Sequence, residues 1–132
     1  MKVSELRLGN YIYHNGEVVP VVQIERRYKT MYRLNDLDVD ERIIEDHFQP
    51  IPLTPEWLER CGWQLVDQGR GPYYWLEKQC WFHIHLPEDG TLYANFNNNA
   101  VHIKYLHQLQ NLYFALTGEE LTINNVNLQS TS

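Results

Sequence analysis

The stretch Cys80-Trp81-Phe82-His83-Ile84-His85-Leu86, with Thr91-Leu92-Tyr93-Ala94-Asn95-Phe96 after it, decides how the chain is read. Its period is two. Cys80, Phe82, Ile84 and Leu86 fall on one face, Trp81, His83 and His85 on the other. In the second run Leu92, Ala94 and Phe96 oppose Tyr93 and Asn95. Pro87-Glu88-Asp89-Gly90 between the runs supplies turn chemistry, so the two strands are expected to pair antiparallel with one apolar face.

Working outward, Tyr73 to Glu77 and Ala100 to Ile103 read as further strands, the latter after the turn residues Asn97-Asn98-Asn99. From about Lys104 to Thr117 the period becomes helical. Leu106, Leu109, Leu112, Tyr113 and Leu116 form a stripe suited to cover the apolar face, and Gly118 is placed to stop the helix. Leu121-Thr122-Ile123 is expected to add an edge strand.

Upstream, Thr54 reads as an N-cap, Pro55 as the first helical position and Gly62 as the stop of a short helix. Trp57, Leu58 and Cys61 share its inward side. Before it, Gln49-Pro50-Ile51-Pro52-Leu53 is extended, because a residue preceding proline is pushed out of the helical region.

Residues 10–34 read as short antiparallel strands. Asn15-Gly16 between Tyr11-Ile12-Tyr13 and Val18-Val19-Pro20-Val21-Val22-Gln23-Ile24 is a hairpin signal, since both central residues of a type I′ turn need positive φ. Pro20 cannot donate to a ladder and marks an edge or a bulge. A third strand is expected at about Thr30 to Leu34. Leu6, Leu8, Ile12, Val19, Val21, Ile24, Met31 and Leu34 are the expected core.

The expected fold is therefore α+β: an N-terminal small SH3-like β-barrel lobe (1–48), a Pro-rich junction with a short helix (49–62), an antiparallel sheet backed by a C-terminal helix (63–123) and a polar tail (124–132).

Composition bounds the function. The chain has 132 residues, 43% hydrophobic and 21% charged, which excludes disordered and collagen-like classes. Eleven Lys and Arg against 17 Asp and Glu give a net charge of −6, unfavourable for a general phosphate-backbone binder. No apolar run approaches the roughly 20 residues of a membrane span. Cys61 and Cys80 suit neither a disulfide framework nor zinc spacing. A cytoplasmic protein, with self-association through strand edges, is the expectation.

Three stretches together resemble a known family: Leu6-Arg7-Leu8-Gly9-Asn10-Tyr11, Pro50-Ile51-Pro52-Leu53-Thr54-Pro55-Glu56-Trp57-Leu58, and His107-Gln108-Leu109-Gln110-Asn111-Leu112-Tyr113-Phe114-Ala115-Leu116-Thr117-Gly118-Glu119-Glu120-Leu121. They are similar to small uncharacterised proteins encoded by Bacteroidota and their phages and prophages. The resemblance implies a cytoplasmic accessory protein of a phage or mobile element. Such proteins bind and block other molecules, nucleotide signals of host immunity among them, which would make this one an anti-defence protein acting by nucleotide sequestration. The family carries over no catalytic residue and no cofactor.

Candidate chemistry centres on the polar face of the opening stretch. His83 and His85 at i and i+2 are the spacing of strand-borne metal ligands, with Glu88, His102 or His107 as further donors, but flanking glycines and a further histidine at the right separation are missing, and a metal is not favoured. The same face reads as a ligand platform. Trp81, Tyr93 and Tyr74 offer rings, while His83, His85 and Asn95 offer donors and acceptors for a small polar or nucleotide-like ligand. The plainer reading, given more weight, is packing against the first lobe or a second copy.

The alternative function is a protein- or nucleic-acid-binding adaptor in which Arg26, Arg27, Lys29 and Arg33 of the first lobe contact the partner. The bland account of that cluster is mutual neutralisation with Asp36, Asp38, Asp40, Glu41, Glu45 and Asp46. Catalysis is unmotivated: no serine sits in a strand–turn–helix elbow, and Gly69-Arg70-Gly71-Pro72 lacks the lysine of a phosphate-binding loop.

Overall fold

The computed structural model describes residues 1–67, 69, 71–76, 79–87, 89–96 and 99–123, and for positions 79–82 and 96 the backbone alone. The expected tail 124–132, Glu88 and part of the turn at 97–99 fall outside the described residues.

The first lobe consists of β1 (Tyr11–His14), β2 (Glu17–Pro20), β3 (Ile24–Tyr28), β4 (Met31–Leu34), β5 (Leu37–Asp40), a 3-10 segment at Glu41–Asp46 and β6 (Phe48–Gln49). Asn15 and Gly16 both have positive φ, as a type I′ hairpin requires, and β1 pairs with β2 in the register Ile12–Val19. Pro20 ends β2, which is an edge strand in the order β2-β1-β6.

The expected barrel is corrected: β2-β1-β6 and β3-β4-β5 are separate sheets, and neither closes. The expected long strand at 18–24 breaks at Val21–Gln23. There the Val21 N–H donates to the Asn10 carbonyl at 2.7 Å, while the N–H groups of Val22 and Gln23 donate to Asn35 Oδ1. Asn35 Nδ2 also donates to the Pro20 carbonyl. Backbone groups that would carry one sheet into the next are thus satisfied at a corner. The two sheets share a core of Val3, Leu6, Ile12, Val21, Leu34, Val39, Ile44 and Phe48. Leu8, expected inside, is 56% exposed.

The second lobe contains α1 (Pro55–Arg60), β7 (Gln64–Val66), β8 (Tyr73–Leu76), β9 (Gln79–His85), β10 (Tyr93–Phe96), β11 (Asn99–His102) and α2 (Leu106–Thr117). Thr54 caps α1, its hydroxyl accepting from the Trp57 N–H at 3.4 Å. Gly118, at φ +76, ends α2 in the left-handed conformation. The sheet is antiparallel in the order β11-β10-β9-β8-β7. Tyr74, Ile84 and Ala94 share one apolar cluster with Trp57 and Leu58 of α1 and with Leu106, Leu109 and Tyr113 of α2. Leu121–Ile123 forms no strand; Leu121 instead buries its side chain in that cluster. No described helix is long and apolar enough to cross a membrane.

The lobes meet at a polar seam. Gln110 of α2, 1% exposed, accepts from the Tyr11 N–H at 2.9 Å and donates to the Gly9 carbonyl at 3.1 Å. Asn10, fully buried, accepts from the Arg7 N–H and donates to Asn111 Oδ1, both at 2.8 Å. Asn111 Nδ2 donates to the Glu5 carbonyl at 2.8 Å. Arg7 pairs with Glu120 and lies 4.2 Å from the Phe114 ring centroid. The junction joins the same seam: the Leu53 N–H donates to Lys104 and the Leu106 N–H to Ile51. The first and third of the stretches that carry the resemblance are therefore hydrogen-bonded to each other here, and Ile51 and Leu53 of the second bond to Leu106 and Lys104 just ahead of the third.

Candidate functional site

Register decides what the outer face of the second sheet presents. Tyr73 pairs with His85, His85 with Tyr93 and Tyr93 with His102, while Val66 pairs with Tyr73. A single ladder, Val66–Tyr73–His85–Tyr93–His102, thus crosses the whole sheet on the side away from the apolar cluster. His83, opposite Asn95, stands in the next row. Tyr73, His83, His85 and Tyr93 are half-buried, and Asn95 and His102 are exposed.

The rings touch. His85 and Tyr93 stack with centroids 5.0 Å apart and planes within 9°. Tyr73 lies 4.9 Å from His83 and 5.9 Å from His85, and Tyr93 lies 6.2 Å from His102. Neighbouring strands are about 4.8 Å apart. Parallel rings at that spacing stand on edge like books on a shelf, so His85 and Tyr93 occupy each other's faces. Burial, reinforced by the nearby His83, holds the His85 imidazole below its ordinary titration range, so it is neutral at pH 7.

Of the expected site residues, His83, His85, Tyr93 and Asn95 come together. Trp81 belongs to β9, but its side chain lies outside the described residues. Tyr74 is corrected: it is 3% exposed and faces the apolar cluster. Tyr73 was missed, and His102 was considered only as a further metal donor, because only the strand register places them in the ladder. Their sole sequence signal is that each opens or closes a strand of the right parity.

The ring centroids of His83 and His85 are 6.4 Å apart and the planes 77° from parallel. Two imidazoles on one tetrahedral ion bring their centroids to about 5 Å, so this pair as it stands does not converge on a common ion. His107, a further donor considered, is buried at the seam, away from the ladder. Among the described residues no group of three or more His, Cys, Asp and Glu is placed to hold a metal.

The basic cluster of the first lobe is largely neutralised. Arg33 lies 3.4 Å from Asp38 and 3.9 Å from Asp36, and Arg27 lies 3.4 Å from Glu25. Arg26 Nε donates to the Lys29 carbonyl. A depression of about 210 Å³ beside them is lined by Arg27, Met31, Tyr32, Arg33 and Asp38.

Cys61 is no nucleophile. It is 4% exposed, and burial pushes its thiol up to about 12. In a Cys80→Ser background, iodoacetamide at pH 8 is expected to label Cys61 only after denaturation; rapid labelling of the native protein would contradict the packing around α1.

No family model matches the chain, and no curated protein or solved structure matches it either. The expectations of a phage, prophage or Bacteroidota origin, of anti-defence function and of nucleotide sequestration are corrected accordingly: they rested on the resemblance alone and nothing in these comparisons carries them.

Proposed function

We propose that the protein binds a small, polar, planar molecule on the outer face of its second sheet, without transforming it. The observation that carries this reading is the ladder with His83 beside it: four half-buried rings, each in contact with at least one other, and an exposed His102 at one end. Half-buried aromatic and imidazole groups keep an apolar body and a polar tip available together, which is the composition of a binding surface.

Size favours a small ligand over a macromolecule. Five strands span about 20 Å and four residues about 13 Å, roughly 300 Å² of sheet face. A stable protein interface takes about 800 Å² per partner. The adaptor reading is weaker, because two of its four cations, Arg27 and Arg33, are already paired with Glu25, Asp36 and Asp38.

The test is a protein-observed NMR titration with neutral and charged heteroaromatic fragments. Shifts are expected to cluster on Tyr73, His83, His85, Tyr93 and His102. The double variant His85→Ala/Tyr93→Ala is expected to weaken binding roughly tenfold or more, two ring contacts being worth about 0.5–1.5 kcal/mol each. Arg26→Glu/Arg27→Glu is expected to leave binding unchanged. Shifts confined to the first lobe, or binding lost only in the arginine variant, would overturn the proposal in favour of the adaptor.

A further inference from the structure

The orientation of the rings specifies the ligand more closely, an inference that rests on the platform reading above. We infer that the ladder selects a small planar anion, of the class of an aromatic carboxylate, over its neutral isostere. His85 and Tyr93 stack at 5.0 Å, so their π-faces meet each other and a ligand meets their edges. Aromatic edges carry the positive end of the ring quadrupole, and beside them each imidazole has at least one N–H and each phenol an O–H to donate. An electron-rich ring laid across the ladder therefore makes edge-to-face contacts, and its charged group reaches the donors.

The composition of the face supports the same choice. The chain carries 28 charged side chains, 11 basic and 17 acidic. None of them is among the described outward positions Gln64, Val66, Tyr73, Trp75, His83, His85, Tyr93, Asn95, Ala100 and His102. In a protein of net charge −6 the described part of this face carries no carboxylate, and three imidazoles collect on it. Neither His83 nor His85 spends a ring nitrogen on a protein hydrogen bond among the described residues. Both rings are left with donor capacity that an anion can use. The gaps between rings, 6.2 Å at Tyr93–His102 and 6.4 Å at His83–His85, are too narrow for a third ring to slide between, which needs about 7 Å. The ligand lies over the ladder rather than within it.

The experiment compares two probes of nearly the same shape, salicylate and salicylamide, by ¹H–¹⁵N NMR titration of the full chain at pH 6.5 and low salt. Salicylate is expected to bind at least fivefold more tightly, with shifts along the ladder. His83→Gln/His85→Gln retains hydrogen-bonding groups but removes the imidazoles, and is expected to abolish the preference. His102→Gln, at an exposed position, is the second variant should the first fold poorly, and is expected to reduce the preference. Equal binding of the two probes at the ladder would overturn the anion selection and leave the platform standing. Binding of neither probe at the ladder, or salicylate shifts confined to Arg27 and Arg33, would overturn both.

Discussion

Replacing Gln110 by alanine is expected to cost about 2–5 kcal/mol of folding free energy. The side chain satisfies two backbone groups of the other lobe, the Tyr11 N–H and the Gly9 carbonyl, in a position 1% exposed. Each buried polar group left without a partner costs about 1–3 kcal/mol, and alanine supplies neither donor nor acceptor. Urea denaturation reads the effect as a lowered midpoint. A control is Gln108→Ala, whose Oε1 accepts from the N–H groups of Lys104 and Tyr105 at the start of α2. That change removes a cap and is expected to cost about 1 kcal/mol. If the two variants lose equal stability, or if Gln110→Ala costs less than roughly 1 kcal/mol, the seam is not what joins the lobes.

The second large effect concerns His107. It is 1% exposed, stacks on Tyr105 with planes within 7°, and neither ring nitrogen has a hydrogen-bond partner among the described residues. The charged groups acting on it are the Glu5 carboxylate, 4.0 Å from Nε2, and the Met1 ammonium, itself 3.4 Å from Glu45. Burial pushes the imidazole below its ordinary range; Glu5 opposes that shift, and the ammonium adds to it.

The folded state therefore binds this proton less readily than the unfolded chain does. The contribution of His107 to stability is complete above the unfolded value of about 6.5 and is lost as pH falls through the lower folded value. His107→Leu is expected to remove that acid-side loss. At neutral pH it is expected to add about 1–3 kcal/mol, because an apolar side chain replaces a buried polar one without partners. Thermal melts of both proteins between pH 5 and 8 check this. Identical pH slopes, or a less stable leucine variant at pH 7.5, would show that His107 is held by an interaction worth more than its burial costs.

Much of the local structure could be read along the chain. Thr54, Pro55 and Gly62 bracket α1, Asn15-Gly16 turns the first hairpin, and Gly118 ends α2, because capping and turn geometry depend on residues a few positions apart. Period-two alternation assigned Ile84 and Ala94 to the core and His83, His85 and Tyr93 to the opposite side for the same reason. Other local signals were missed. Asn35-Asp36, both at positive φ, form a second tight turn; β3 and β7 are short strands with little alternation to announce them, and the alternation of Leu37-Asp38-Val39-Asp40 in β5 was read only as part of an acidic cluster.

Tertiary structure decided the rest. Whether β1 and β2 closed into a barrel depended on which strand took the free edge of β1, and β6 took it while Asn35 sealed the corner. The site was half legible: alternation brings His83 and His85 to one face, but nothing within β9 says that Tyr73 and Tyr93 flank His85. Those neighbours come from the pairing register, and a one-residue slip would have exchanged Tyr74 for Tyr73. The seam shows the same division. Asn10, Gln110 and Asn111 are ordinary polar residues in the sequence, and only the approach of α2 to the first lobe makes them buried and mutually satisfied. A sequence by itself determines which conformations each short segment prefers, since those energies are local. Which polar atoms of the seam find partners is settled by contacts more than a hundred positions apart along the chain, and which ring stands beside which by the register of the paired strands.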